Sequence, residues 1–220
     1  MYKALITSAT LLFAASSAHA TSVTLTFDGD ACADGLCNSN REAISQDYGD
    51  IDGEVEVTYD ASRVSDGLQP WIYWNLGYEE LVDAAYGNSG SQGGTLLIEP
   101  LDGFEVSLVK MDIAPYADAL QTTGVTVTEV GGVEQTALAV DLLSVIESTE
   151  VDLSAFGPST SGYLITIAPE FFNTGVDNIM FDVSRVDTTP APVPLPPSAL
   201  MMLAGVAGLG GLARRRRRKG

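Results

Sequence analysis

The run Val125-Thr126-Val127-Thr128-Glu129-Val130-Gly131-Gly132-Val133-Glu134-Gln135-Thr136-Ala137-Leu138-Ala139-Val140 sets apolar residues against polar ones on both sides of a glycine pair. Side chains on a strand alternate between its two faces, so period-two patterning rich in β-branched residues predicts half-buried strands. A Gly-Gly pair between two such runs predicts a two-residue hairpin. The same alternation recurs at Val23-Leu25-Phe27, Val55-Val57-Tyr59, Leu96-Ile98 and Leu164-Ile167. Turn-forming clusters separate these runs at residues 50–53, 65–67, 87–94, 102–103 and 157–158. No stretch reads as a capped amphipathic helix of more than a few turns; residues 78–86 and 138–147 are the best candidates for short helices. Many short strands with turn-rich connections predict an all-β protein, a single jelly-roll-like β-sandwich over residues 21–187. No internal repeat is present.

The chain has 220 residues with 11 Lys and Arg against 29 Asp and Glu, a formal net charge of −18. All the acids lie between Asp28 and Asp187, where the only bases are Arg41, Arg63, Lys110 and Arg185. A polyanion of that density repels phosphate backbones, which excludes nucleic acid as a partner. Divalent cations and neutral glycans are compatible with it. The single histidine, His19, lies in a segment that reads as a cleaved leader, so the mature chain has none. That removes Ser-His-Asp triads, Cys-His dyads and His-ligated metals together. No nucleophile elbow, P-loop or dinucleotide fingerprint occurs, and an enzyme is not expected. A carboxylate-pair hydrolase stays open only because the acids are too many for any pair to stand out.

Both ends read as addresses. Residues 1–20 place one Lys before a short apolar stretch and close on Ala18-His19-Ala20, the small residues that signal peptidase accepts. At the other end, the Pro-rich segment 188–197 predicts a stiff, extended spacer. Residues 198–213 are uncharged, and residues 214–220 begin with Arg214-Arg215-Arg216-Arg217-Arg218-Lys219. A bilayer core of about 30 Å wants about 20 helical residues. The uncharged segment is therefore marginally long, and snorkelling arginines close the gap. The basic run stays cytoplasmic, leaving the acidic domain on the far side of the membrane.

This three-part order resembles the PEP-CTERM class of sorting tails. It is closest to the VPLPA-CTERM variant, here Val193-Pro194-Leu195-Pro196-Pro197 with Pro in place of the final Ala. The resemblance implies that these five residues are recognised by an exosortase-type processing enzyme while the helix holds the exported protein in the inner membrane. It further implies a final place at the cell surface or in the extracellular matrix, in company with exopolysaccharide. The body of the chain is similar to the β-sandwich domains that precede such tails. Those open on a strand with an acidic end, here Leu25-Thr26-Phe27-Asp28, and close on an Asp-Asn strand, here Val176-Asp177-Asn178-Ile179-Met180-Phe181.

Three constellations within the domain bear on function. Cys32 and Cys37 are close enough in sequence to form a disulfide in an exported chain, or to serve as a redox or metal pair. The loop around them is rich in oxygen donors: Asp28, Asp30, Asp34, Asn38, Asn40 and Glu42. If the first and last strands pair antiparallel, Asp28 and Asp30 approach Asp177 and Asn178. Those four residues are candidate ligands for a structural Ca²⁺, against the plainer reading of a solvated acidic surface. The spacing does not continue into an EF-hand loop. Finally, Trp71-Ile72-Tyr73-Trp74 concentrates aromatic side chains, with Tyr78 nearby. One face of that strand belongs to the core. Core packing alone accounts for the cluster on one reading; on the other, the second face offers a glycan platform with Asn75, Glu79 or Glu80 as hydrogen-bond partners.

The functional expectation is an exported structural or adhesive protein of the envelope or matrix. The alternative is a carbohydrate-binding module using Trp71, Tyr73 and Trp74.

Overall fold

Val55, Val57 and Tyr59 are buried while Glu56 between them is exposed, and Leu96 and Ile98 are buried with partly covered neighbours. Period-two patterning thus decides which side chains form the core. In the computed structural model, which describes residues 20–61, 70–78, 80–87, 93–116, 121–142 and 147–186, these segments are strands. In chain order they are β1 (Thr21–Leu25), β2 (Val55–Asp60), β3 (Ile72–Tyr78), β4 (Leu81–Tyr86), β5 (Gly94–Pro100) and β6 (Phe104–Pro115). There follow β7 (Thr122–Glu129), β8 (Glu134–Leu142), β9 (Thr149–Asp152), β10 (Pro158–Ser159), β11 (Tyr163–Ala168) and β12 (Thr174–Arg185). The leader, the sorting motif, the apolar segment after it, the basic tail and Glu79 lie outside the described residues.

Two antiparallel sheets result. One runs β2-β5-β11-β7-β8; the other runs β10-β6-β12-β4-β3, with β1 also on β12 and β9 also on β6. Leu96, Ile98, Val125, Val127, Ile165 and Ile167 from the first sheet join Val106, Leu108, Met111, Val176, Ile179 and Phe181 from the second in one buried cluster. Two sheets sharing one core make a β-sandwich.

The first and last strands pair antiparallel as anticipated, from Thr21 opposite Val183 to Leu25 opposite Ile179. The opening strand stops at Leu25, short of Phe27, which takes a left-handed φ of 52°. Four other expectations are corrected. Residues 78–86 form no helix, because Tyr78 ends β3 and Leu81–Tyr86 is β4. Their Leu and Ala residues favour helix in isolation, but pairing and burial against the sheet override propensity. Residues 138–142 likewise belong to β8. Leu164 and Ile167 lie an odd number of residues apart and so face opposite ways; Tyr163, Ile165 and Ile167 are the buried set. The β7–β8 connection is also longer than two residues. Gly132 N–H donates to the Glu129 carbonyl, Gly131 takes φ 81°, and pairing resumes with Thr128 opposite Glu134. That places a β-turn inside a wider loop.

Candidate functional site

Strand β3 is the outermost strand of its sheet, and a bare edge exposes unpaired N–H and C=O groups. Here residues 40–44 cover it. Tyr73 N–H donates to the Glu42 carbonyl at 2.8 Å, Arg41 N–H to the Tyr73 carbonyl at 2.9 Å, and Ile44 N–H to the Trp71 carbonyl at 2.8 Å. Asn75 N–H donates to Asn40 Oδ1 at 2.6 Å. The covering segment is braced in turn by the cysteine loop. Cys32 and Cys37 form a disulfide with Cα atoms 5.1 Å apart. Ala33 N–H donates to the Ala43 carbonyl and Ser45 N–H to the Ala31 carbonyl.

The oxygen donors of this loop are largely engaged in shaping it. The Glu42 carboxylate accepts Asn38 N–H at 2.9 Å and the Ser39 hydroxyl at 2.7 Å. Asp34 accepts Leu36 N–H, and Asp28 accepts the Thr26 hydroxyl. The product is a tight turn with Arg41 at φ 78° beside the outer face of β3.

Parity on β3 separates the three aromatic residues singled out in the sequence. Trp71 is 0% exposed and Tyr73 is 4% exposed, so neither can meet a glycan. Trp71 packs among Tyr59, Phe171, Phe27 and their neighbours, with ring centroids at 5.2, 4.9 and 6.2 Å respectively. Its indole N–H donates to the Asp60 carbonyl. Tyr73 O–H donates to Asp83 at 2.5 Å, and burial followed by this bond raises its phenol above the ordinary value. Asn75, expected beside a sugar, instead turns its amide to Asp83 and to the Tyr73 hydroxyl. Glu80 accepts a hydrogen bond from Ser148 on the surface.

Trp74 is the platform residue that faces outward. It belongs to a second apolar cluster, apart from the main core, with Ile72, Tyr78, Leu81, Ala84, Tyr86, Ala114, Tyr116 and Phe172. Tyr86 and Tyr116 each stand at 87° to the indole with centroids 5.8 Å away. Tyr78 stacks obliquely on both tyrosines and lies on the backbone of Gly175, where a Cβ would stand 2.5 Å from its ring. The Arg41 guanidinium carbon lies 5.8 Å from the indole centroid. These residues, with Phe172 and Asn173, line an open recess of about 110 Å³.

Burial raises the phenols of Tyr78 and Tyr86 above their ordinary range. For Tyr86 the positive charge of Arg41 opposes that rise, and Tyr116 adds to it. The recess is thus an aromatic bowl with one cation at its rim. Arg41, Tyr86, Tyr116 and Phe172 were not flagged in the sequence. They come from the loop before β2, from β4, from the end of β6 and from the turn before β12, so no local pattern joins them. A base isolated among acids was the one signal available.

The acidic group forms elsewhere on the same sheet. Pairing of β12 with β6 breaks register between Asp177 and Met180, and Asn178 takes φ 50°. Asn178 N–H donates to Asp177 at 2.7 Å, and its side-chain amide to Asp112 at 2.9 Å. Asp177 is 8% exposed, and its pKa is pushed up to about 7, first by desolvation. The Asn178 bond lowers it, while the charges of Asp112, Asp83 and Asp28 raise it further. The structure therefore brings Asp28 toward Asp177 and Asn178. Asp30 is exposed and is not among the charges acting on Asp177. Among the described residues, no group of three or more His, Cys, Asp or Glu side chains stands ready to hold a metal ion.

No protein-family model matches the chain, and no curated protein matches it. Among solved structures it is similar to the CBM22-1 xylan-binding domain of Paenibacillus barcinonensis Xyn10C, at 13% identity and a TM-score of 0.30, over 76% of this chain and 95% of that one. It is also similar to the CBM22-1–GH10 modules of Clostridium thermocellum xylanase 10B, at 13% identity and a TM-score of 0.28, over 78% of this chain and 30% of that one. A third likeness, to Drosophila melanogaster CENP-C bound to CAL1, has a TM-score of 0.18 at 15% identity, over 53% of this chain and 81% of that one. At these scores the likenesses carry no inference about ligand or activity.

Proposed function

We propose that the domain is a carbohydrate-binding module on a jelly-roll-like sandwich, and that it ties an exported protein to polysaccharide in the envelope or matrix. One observation carries the reading: an open recess lined by aromatic rings on the outer face of a β-sheet, with Arg41 and Asn173 as polar groups at its margin. Pyranose rings present apolar C–H faces and equatorial hydroxyls. A half-exposed indole takes the first, and polar groups at its edge take the second. The chemistry is binding, with no catalytic step.

In this proposal the leader delivers the chain through signal peptidase. The Val193, Pro194, Leu195, Pro196 and Pro197 tail holds it in the inner membrane until an exosortase-type enzyme acts. Intact mass of the mature species from fractionated cells tests that part. The expected mass lacks the leader and the tail; the untrimmed mass in cytosol rejects it. Calcium at Asp28, Asp30, Asp177 and Asn178 is a separate proposal, favoured by the carboxylates of Asp177 and Asp112 that meet at Asn178. Its test is a melting temperature that falls on adding a chelator; an unmoved melting temperature rejects it.

For the glycan reading, affinity electrophoresis of the full chain through gels containing soluble plant and bacterial polysaccharides should show retardation by at least one. Trp74→Ala should weaken that binding by about thirtyfold or more, the scale of a lost hot-spot aromatic. Retardation by none, or retardation unchanged in Trp74→Ala, would rule the recess out as a sugar site.

A further inference from the structure

The recess has a cation at its margin in a domain dense in acids. Within the described residues the bases are Arg41, Lys110 and Arg185. Lys110 pairs with Glu150 at 2.5 Å, and the Arg185 guanidinium lies 5.1 Å from the Phe104 ring on another part of the fold. Arg41 is exposed, and among the described residues no carboxylate pairs with it. Its position is fixed from both sides. Its N–H is bonded to the β3 edge, and the neighbouring Glu42 carboxylate is held by Asn38 and Ser39. The disulfide loop backs the whole turn through the bond from Ala33 to the Ala43 carbonyl. The covalent loop and the turn together hold the backbone of Arg41 beside the aromatic bowl, with its guanidinium over Trp74.

We propose that this recess selects an acidic glycan, with a pyranose ring against Trp74 and the carboxylate of a uronic-acid unit paired to Arg41. The inference rests on the glycan reading and names its substrate class. A guanidinium offers a planar fork of donors that matches a carboxylate two-for-two. Arg41 lies over the indole with its guanidinium carbon 5.8 Å from the ring centroid, so a sugar that packs against Trp74 does so in contact with the guanidinium.

The acidic body does not cancel this preference. At physiological ionic strength, charges more than about 8 Å away are largely screened, whereas a contact pair at the rim is not. The charge acting on Tyr86 is that of Arg41, and only Tyr86 and Tyr116 act on Tyr78. On the other face of the same strand, Tyr73 feels Asp83 and Glu42.

The test uses matched pairs of polymers: polygalacturonate and alginate, each beside its carboxyl-reduced neutral form, titrated against the full chain. At physiological ionic strength the acidic form of at least one pair should bind about tenfold or more tighter than its reduced form, as expected for one charge-assisted bidentate contact. Arg41→Gln should abolish that difference while leaving the melting temperature unchanged. Arg41→Lys, which keeps the charge and loses the fork, should fall between. Equal, Trp74-dependent binding of both forms would overturn the acidic preference and leave the glycan reading standing. An acidic preference that survives in Arg41→Gln would overturn the role of Arg41. Failure of all four polymers to bind would overturn the proposal outright, and neutral polysaccharides retained in the electrophoretic panel would still uphold the broader reading.

Discussion

Trp71 and Trp74 lie three residues apart beside the same sheet edge, yet they belong to different parts of the molecule. Trp71 is sealed among Phe27, Tyr59 and Phe171 between the two sheets, and its one polar atom is bonded to the Asp60 carbonyl. Trp74 is half-exposed on the outer face, flanked by tyrosines at right angles and by Arg41. An odd spacing on extended backbone sends two side chains to opposite faces. The same residue type therefore contributes stability in one place and a binding surface in the other. The largest expected effect breaks this pair apart. Trp71→Ala should cost about 3–5 kcal/mol by opening a cavity in the core. For a domain of this size that lowers the melting temperature by roughly 6–20 °C. Trp74→Ala should cost about 1 kcal/mol and leave the melting curve nearly in place. Thermal melts by circular dichroism, run beside glycan titrations, should show stability lost in the first and affinity lost in the second. Equal destabilisation would mean that the outer cluster is core after all.

The contrast also marks what was legible before the structure. The interior followed from alternation alone, because Val55, Val57 and Tyr59 must share a face whatever they pair with. Pairing of the first strand with the last, and the disulfide between Cys32 and Cys37, were also within reach of the sequence. The outer cluster was not. Tyr86 reaches Trp74 only because β3 and β4 pair with Ile72 opposite Tyr86. Tyr116 and Phe172 arrive because β12 joins β6 on one side and β4 on the other. Residues 78–86 carry Leu and Ala whose local preference points to helix, so the hairpin that builds the bowl was hidden by its own composition. Arg41 depends on a turn whose conformation is set by a side-chain carboxylate three and four residues away from its partners.

A pH series sharpens the separation between sheet body and recess. Asp177 ionises near pH 3.8 when unfolded and near 7 in the fold, so the folded state holds the proton more tightly. Between those values the native state binds more protons than the unfolded one, and stability falls as pH rises. Below the lower value and above the higher one this group contributes no slope. The full difference is at most about 4 kcal/mol. Asp177→Asn removes the ionisable group while keeping its shape, facing the same Asp112, Asp83, Asp28 and Asn178. The variant should match the wild type below about pH 4 and exceed it in melting temperature increasingly up to about pH 7. Glycan affinity should stay level above about pH 5, because the recess phenols are raised and a guanidinium keeps its charge. Parallel melting curves for the two proteins at every pH would show that Asp177 stays ionised in the fold.

The smallest perturbation acts on the shape of the bowl and leaves its chemistry alone. Gly175 has no side chain because Tyr78 occupies that space: a Cβ there would meet the ring at 2.5 Å, and the ring is the one that must give. Tyr78 is wedged against Tyr86 and Tyr116, so its shift passes to the rings that flank Trp74. Overpacking by one methyl group against the root of a buried ring costs about 1–3 kcal/mol. Gly175→Ala should therefore melt roughly 2–12 °C below the wild type and bind glycan several-fold more weakly. The acidic preference should survive, because neither Arg41 nor Trp74 has been altered. If affinity is untouched, the ligand lies over Trp74 and Arg41 alone, and the tyrosine walls serve only to hold the indole. If the acidic preference disappears with the affinity, the guanidinium is positioned by the packed rings as well as by the disulfide-braced turn. A change confined to a neighbouring strand thereby decides which of the two holds Arg41 in place.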